Sequence, residues 1–340
     1  MTETVHRVVQ WATGGIGQVS IRHLVENPHT ELVGVLVTNP DKVGKDAGEI
    51  AGIANVGLAA TDDKDAILAL DADCVHFAPL VPDIDMVCRL LRSGKNVVSP
   101  LGPFYPTDQF REDVEKIEAA CREGGVSFHG SGIHPGYAGD ILPLTLARLT
   151  GRVDHVRVYE LVDFLKNPSP WMERMGFGRD PEDLAANPSR SPEAIGHFAQ
   201  SMAMIAEGLG KKIDGMRSQQ QFAVATKDIE YANGVIPAGT VAGQRYEWTA
   251  LLDGEPRITF FTVWTVGHEN IEPDWEVPDG RYRVEIEGEP SLDLTLDGNA
   301  TGRNWTAYAG LTAIPAVCAA DPGFVSHLDL GVVRPRGLIR

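Results

Sequence analysis

Cysteine, positive charge and long apolar runs are all scarce in this chain. The four cysteines, Cys74, Cys88, Cys121 and Cys318, are scattered without paired spacing. That excludes a disulfide framework and fits idle thiols in a reducing cytoplasm. Lys and Arg total 30 against 47 Asp and Glu, a net charge of −17. Such a balance repels phosphate backbones and anionic lipid surfaces, so the expected partner is a small molecule, with no nucleic acid and no membrane. No run of apolar residues is long enough to span a bilayer. Strand-like sequence begins near residue 5, too early for a signal peptide, and a cytoplasmic protein is expected. Repeats and low-complexity tracts are missing. So are clusters of His, Cys or carboxylates at metal-ligand spacing, and any nucleophile elbow or triad.

What remains is a soluble globular composition. The chain has 340 residues, 43% apolar and 23% charged, and its length suggests two domains. Its most informative segment is a glycine turn, Ala12-Thr13-Gly14-Gly15-Ile16-Gly17, between a strand-like run at 5–11 and a helix-like run at 18–26. Strand, tight turn and helix start make a site for a dinucleotide pyrophosphate. Gly14 lets the backbone approach the phosphates, Gly17 lets the helix pack on the strand, and the helix N–H groups attract the anion. Ala12 stands where the first glycine of the fingerprint usually sits.

Along the chain, 31–37 reads as a second strand, 63–70 as a short helix and 72–78 as a buried strand. Helices at 83–93 and 110–123 then alternate with strands at 97–99 and 126–130. Alternation of this kind builds a parallel sheet, so residues 1–135 are read as a doubly wound Rossmann domain. Residues 138–149 look helical, with Pro143 disturbing the start. Long alternating runs at 155–164, 218–230, 241–252, 257–267 and 282–287 predict a second, α+β domain over 136–305. It is built on an open, mainly antiparallel sheet able to cover a face with helices or with a second subunit. Turns are expected at Gly254 and at Asp297-Gly298. Residues 167–191 contain Trp171, Met172, Met175 and Phe177 and read as a lid or a subunit-exchanged arm. A last helix at 306–318 completes the first domain, and the basic tail at 334–340 is loose.

The second strand bears on the choice of cofactor. An NAD site normally ends that strand with a carboxylate for the ribose 2′-hydroxyl. Here Thr38 and Asn39 stand there, with Lys42 and Lys45 close behind, which favours a 2′-phosphate and hence NADP(H). Asp41 keeps NAD(H) possible, and the plainer reading of each lysine is a solvated loop residue.

With these pieces in place the chain resembles the dihydrodipicolinate reductase-like superfamily, in the branch of 2,4-diaminopentanoate dehydrogenases and native NAD(P)-dependent amine dehydrogenases. The resemblance is carried by the segments at 10–17, 35–41, 43–50, 71–75, 94–99, 132–137, 175–179 and 313–318. It implies a Rossmann domain joined to a substrate and dimerisation domain, a homodimer, and an active site between the domains. The implied reaction is reductive amination, in which an imine formed from a ketone and ammonia accepts hydride from the nicotinamide. In amine-forming members a glutamate just after the fourth strand activates ammonia. Here that place falls on Gly102 or Pro103, and Asp108 and Glu112 are the nearby carboxylates, each more simply a helix-start residue.

His134, in Gly132-Ile133-His134-Pro135-Gly136 at a strand end, is then the leading acid–base candidate, the alternative being a histidine that fixes the turn. Tyr105 is a second proton donor. Tyr137 and His268 are candidate substrate contacts, and Ala78, Pro79, Ser99 and Gly132 lie at strand ends along the cofactor's path. The expected protein is an NADP-preferring oxidoreductase of a small to medium apolar carbonyl or imine. A carbonyl reductase indifferent to ammonia, and a non-catalytic NADPH-binding sensor, are the alternatives.

Overall fold

The computed structural model describes residues 4–166, 169, 172–186, 192–275, 281–297 and 302–339. They form two compact units, one holding the chain up to Tyr137 together with the residues from Gly302 onward, the other spanning 138–301.

The first unit opens with strand β1 (His6–Trp11), helix α1 (Gly15–Glu26) and strand β2 (Thr30–Leu36). Short helices α2 (Ala47–Ala51) and α3 (Lys64–Ala69) lead to β3 (Cys74–Phe77). Then come α4 (Ile84–Arg92), β4 (Asn96–Ser99), α5 (Arg111–Gly124) and β5 (Ser127–Gly130). Strands β3, β4 and β5 are buried along their whole length, as parallel strands covered on both faces must be. Helix α4 follows from its sequence: the Asp83 carboxylate accepts from the Met86 N–H at 2.9 Å, and Met86, Val87, Leu90 and Leu91 turn one face inward.

The second unit begins with α6 (Ile141–Ala147), shorter than sequence suggested; Pro143 falls in its first turn, where a missing N–H is tolerated. Strand β6 (Arg152–Asp163) and helices α7 (Met172–Met175), α8 (Pro181–Ala186) and α9 (Pro192–Gly208) follow. The strands are β7 (Gly215–Ala225), β8 (Ile229–Tyr231), β9 (Gly234–Ile236), β10 (Val241–Leu252), β11 (Glu255–Thr265), β12 (Ile271–Glu272), β13 (Arg281–Glu289) and β14 (Leu292–Asp297). Seven form a sheet in the order β12-β7-β10-β11-β6-β13-β14, antiparallel at every pairing except β11 with β6. The expected run at 218–230 is in fact two strands, because β8 leaves the sheet to pair with β9.

Helix α9, which sequence reading missed, covers one face of this sheet. Its Phe198 meets Trp248 at 5.0 Å and Phe260 at 6.3 Å between ring centroids. Met172, Met175 and Phe177 are buried in the same core, and the Gln244 amide donates to the Met175 carbonyl at 2.5 Å. These three residues of the expected lid or arm thus lie in the core of their own unit. Trp171 and Gly298 lie outside the described residues. The opposite sheet face stacks Tyr159 on Phe261 at 4.8 Å, with Arg283 5.5 Å above the Tyr159 ring. Beside them a shallow depression of about 330 Å³ is lined by Leu161, Arg245, Val263 and Trp275.

The chain then returns to the first unit through α10 (Gly302–Cys318), β15 (Gly323–Phe324) and α11 (His327–Leu330). Its sheet is parallel throughout, in the order β15-β5-β4-β3-β1-β2. Helix α10 starts earlier than residue 306 and is not the last element. Its Ala307, Leu311, Ile314 and Val317 pack with Val8, Val19, Leu24 and Val98. The tail is docked rather than loose, since the Asn27 amide donates to the Arg336 carbonyl at 3.1 Å. All four cysteines are free; hydrogen bonding to Cys74 and His6 outweighs burial and brings the Cys318 thiol down to about 6. Among the described residues no helix is long and apolar enough to cross a membrane.

Candidate active site

The glycine turn leaves β1 through Ala12, whose φ of 69° lies in the left-handed region that glycine ordinarily supplies. Three hydrogen bonds hold it there. The Ala12 N–H donates to the Leu36 carbonyl at 2.9 Å, and the buried Gln10 amide donates to the Ala12 carbonyl at 2.9 Å and the Trp11 carbonyl at 3.0 Å. Helix α1 then starts at Gly15, with Gly14 as its N-cap, no side-chain cap and no acidic residue in its first turn. A Cβ on Gly17 would lie 2.1 Å from the Ala12 carbonyl oxygen, whereas one on Gly14 would meet no heavy atom within 4 Å. Gly17 is thus required by the fold and Gly14 is not. Thr13 is buried and Ile16 half-buried beside them.

From the end of β2, Thr38 and Asn39 are exposed, and the Asn39 side chain accepts from the Asp41 N–H at 2.9 Å. The Lys42 ammonium donates to the Thr13 carbonyl at 2.9 Å and the Thr13 hydroxyl at 3.2 Å. Lys45 instead pairs with Glu49 at 3.5 Å, the ordinary surface arrangement. One of the two lysines therefore joins the turn. Arg303 of α10 also lies against it, over Gly15, a residue that sequence reading did not single out because 288 positions separate it from its neighbour.

Further candidates gather at the carboxyl ends of β3, β4 and β5. The Ala78 N–H, ahead of Pro79, donates to the Trp11 carbonyl at 3.1 Å, and the buried Ser99 hydroxyl accepts from the Leu101 N–H at 3.2 Å. Gly102 and Pro103 are buried, and a Cβ on Gly130 would come 2.3 Å from the Pro103 carbonyl oxygen, so the segment leading to Tyr105 lies on the end of β5. Gly132 and Gly136 approach too closely for a side chain on Gly136, which would fall 2.1 Å from the Gly132 nitrogen. His134 sits half-buried inside this turn, Tyr105 is buried, and Tyr137 is 44% exposed. Beneath it, His327 hydrogen-bonds the Gly136 backbone and meets the His129 ring edge-to-face at 4.6 Å. Asp108 pairs with Arg111, and Glu112 pairs with Lys116 at 2.8 Å; both carboxylates are exposed, which leaves each a surface role.

In the second unit His268 is held by a carboxylate that sequence reading missed. Its Nδ1 lies 2.6 Å from Asp163 Oδ2, and Asp163 also accepts from the N–H groups of Leu165, Gly267 and His268. Burial raises the Asp163 pKa, but these donors together leave it below the usual carboxylate value. The pairing fixes the orientation of the His268 ring, which remains one-third exposed at 34%.

Comparison with known proteins adds the family. Residues 7–98 match the dihydrodipicolinate reductase N-terminus, and residues 137–338 match the 2,4-diaminopentanoate dehydrogenase C-terminal domain. The chain is 34% identical to an amine dehydrogenase of Streptomyces virginiae, over 95% of each. It is 26% identical to the 2,4-diaminopentanoate dehydrogenase of Acetoanaerobium sticklandii, over 96% of this chain and 94% of that one. In fold it is similar to the amine dehydrogenase of Mycobacterium smegmatis, with a TM-score of 0.82 at 20% identity over 98% of both chains.

The buried histidines make a testable pH signature. Burial, then the nearby His23, pushes His76 down to about 4, and burial likewise puts His327 at about 4 against an ordinary 6.5. An unfolded chain binds these protons near pH 6.5 and the folded chain does not, so stability falls as pH drops from 6.5 through 4. Each site contributes about 3 kcal/mol to that loss. His6, raised by its hydrogen bond to Cys318, opposes the trend as a single, half-exposed site. The urea midpoint at pH 4.5 is therefore expected well below that at pH 7; equal midpoints would contradict the assignment.

Proposed function

The chain belongs to the dihydrodipicolinate reductase-like family, in the branch of amine and 2,4-diaminopentanoate dehydrogenases, and on that premise we propose that it is an NADP-preferring oxidoreductase acting on a small to medium apolar carbonyl or imine. The observation that carries the cofactor preference is Lys42. Its ammonium meets the glycine turn at Thr13, beside a second-strand end that offers Thr38 and Asn39 instead of a carboxylate. A 2′-phosphate is attracted by that cation and is not repelled by a strand-end acid. NAD(H) remains the second cofactor, with Asp41 exposed nearby.

A bound nicotinamide supplies or accepts the hydride. The chain binds it through Ala12 to Gly17, Thr38, Asn39 and Lys42, and along the strand ends at Ala78, Pro79, Ser99 and Gly132. His134 and Tyr105, at those same ends, are the groups proposed to deliver a proton to the alkoxide or amine nitrogen. Tyr137 and His268 are the proposed substrate contacts, His268 with its ring already oriented by Asp163.

Two chemistries follow from this arrangement. Reductive amination is the one suggested by the relatives' names. Simple carbonyl reduction is favoured by a specific feature: Gly102 and Pro103 carry no acid–base group, and Asp108 and Glu112 are committed to surface ion pairs. A reductive role in a cytoplasmic homodimer fits both. The dimer is supported by the half-buried Tyr159–Phe261 stack on the sheet face of the second unit opposite α9.

Following absorbance at 340 nm with aliphatic and cyclic ketones decides the chemistry. Oxidation of NADPH that requires ammonium and outpaces NADH is the expected result. Oxidation indifferent to ammonium replaces reductive amination by carbonyl reduction, and a preference for NADH removes the role given to Lys42. In sedimentation equilibrium the chain should have twice its own mass, and Phe261→Asp should halve it; a monomer in the unmodified chain rules the dimer out.

A further inference from the structure

Gly15 has no side chain, and the space one would fill is taken by Arg303. A Cβ at Gly15 would stand 2.6 Å from Arg303 Cδ and 2.8 Å from one of its terminal nitrogens. Arg303 is exposed, but its backbone is fixed, because it lies at the start of α10 and that helix is packed on α1 through Ala307, Leu311, Val19 and Leu24. The arrangement sets a guanidinium against the amino end of α1. That end has no side-chain cap and no acidic residue in its first turn, and α10 also opens without one. A guanidinium and the free N–H groups of a helix start, set side by side, both attract an anion. Next to it, Gly14 leaves open space for that anion.

We propose that Arg303 grips the pyrophosphate of the bound dinucleotide and so sets affinity for NADPH and NADH alike, while Lys42 sets the preference between them. The inference rests on the dinucleotide reading of the glycine turn. Its chemistry is that of a planar fork able to give two parallel N–H bonds to phosphate oxygens. The two cations reach the turn from different places: Lys42 from the loop after β2, onto Thr13, and Arg303 from α10, onto Gly15. Pyrophosphate is common to both cofactors and the 2′-phosphate to one, so the two residues should have separable effects.

The test is direct titration of NADPH and of NADH into the unmodified chain, Arg303→Gln, Arg303→Lys and Lys42→Gln, read by calorimetry without substrate. Loss of a charge-assisted phosphate contact should raise the Kd of Arg303→Gln about tenfold for both cofactors. Their ratio should not change, and Arg303→Lys should fall between. Lys42→Gln should weaken NADPH alone. Unchanged affinities in Arg303→Gln overturn the inference, as does a loss confined to NADPH, which would put Arg303 on the 2′-phosphate. If the unmodified chain binds neither cofactor, the dinucleotide reading itself fails.

Discussion

The glycine turn depends on one close approach, the α-carbon of Gly17 against the carbonyl of Ala12. A side chain at Gly17 would sit 2.1 Å from that oxygen, so α1 can pack on β1 only with glycine there. The same contact involves a backbone cost, because Ala12 is left-handed at about 1–2 kcal/mol above its favoured conformation. Gln10 offsets it: its amide donates to the Ala12 carbonyl, and its carbonyl oxygen lies 2.8 Å from His76 Nδ1. With the Ala12 N–H bonded to Leu36, the turn is tied to β1, β2 and β3 at once. The conformation of the loop therefore belongs to the sheet rather than to the loop, the pre-organisation that the proposed phosphate site requires.

The returning segment from Gly302 completes this unit in three ways. Helix α10 fills the cluster around Val8 and Val98. Strand β15 pairs with β5, and the Val325 carbonyl lies 2.7 Å from His129 Nδ1. His327 supports Gly136, and through it the turn that carries His134. Both the proposed phosphate end and the proposed proton-donor end of the site thus rest on residues that the chain contributes only after it has left the first unit and returned.

Much of this was legible in the sequence. Strands β1 to β5 fall within one or two residues of the expected positions because short, buried parallel strands read as apolar runs, whereas the two-residue β15 was not anticipated. The glycine turn was legible because its constraint is local: Gly17 lies next to the strand it must pack on. Helix α9 directly follows a Pro-rich stretch that reads as loop, although its Phe198, Met202 and Ile205 have helical spacing. Lys42 and Lys45 looked alike in sequence and differ only through the 3₁₀ turn at Pro40–Lys42 that aims one of them at Thr13. Asp163, Arg303 and His327 left no local signal. Each acts on a partner 105, 288 or about 190 residues away, and only the fold brings those pairs together.

The central claim, that phosphates pass directly over the turn, is tested most directly at Gly14, whose added methyl would touch nothing in the protein. NADPH titrated calorimetrically into the unmodified chain and into Gly14→Ala separates folding from binding. The account predicts a stability change of no more than about 1 kcal/mol, the cost of an altered helix cap, with Kd raised tenfold or more. Equal affinity in the two proteins would contradict it, because the open space over Gly14 would then not be where the dinucleotide lies.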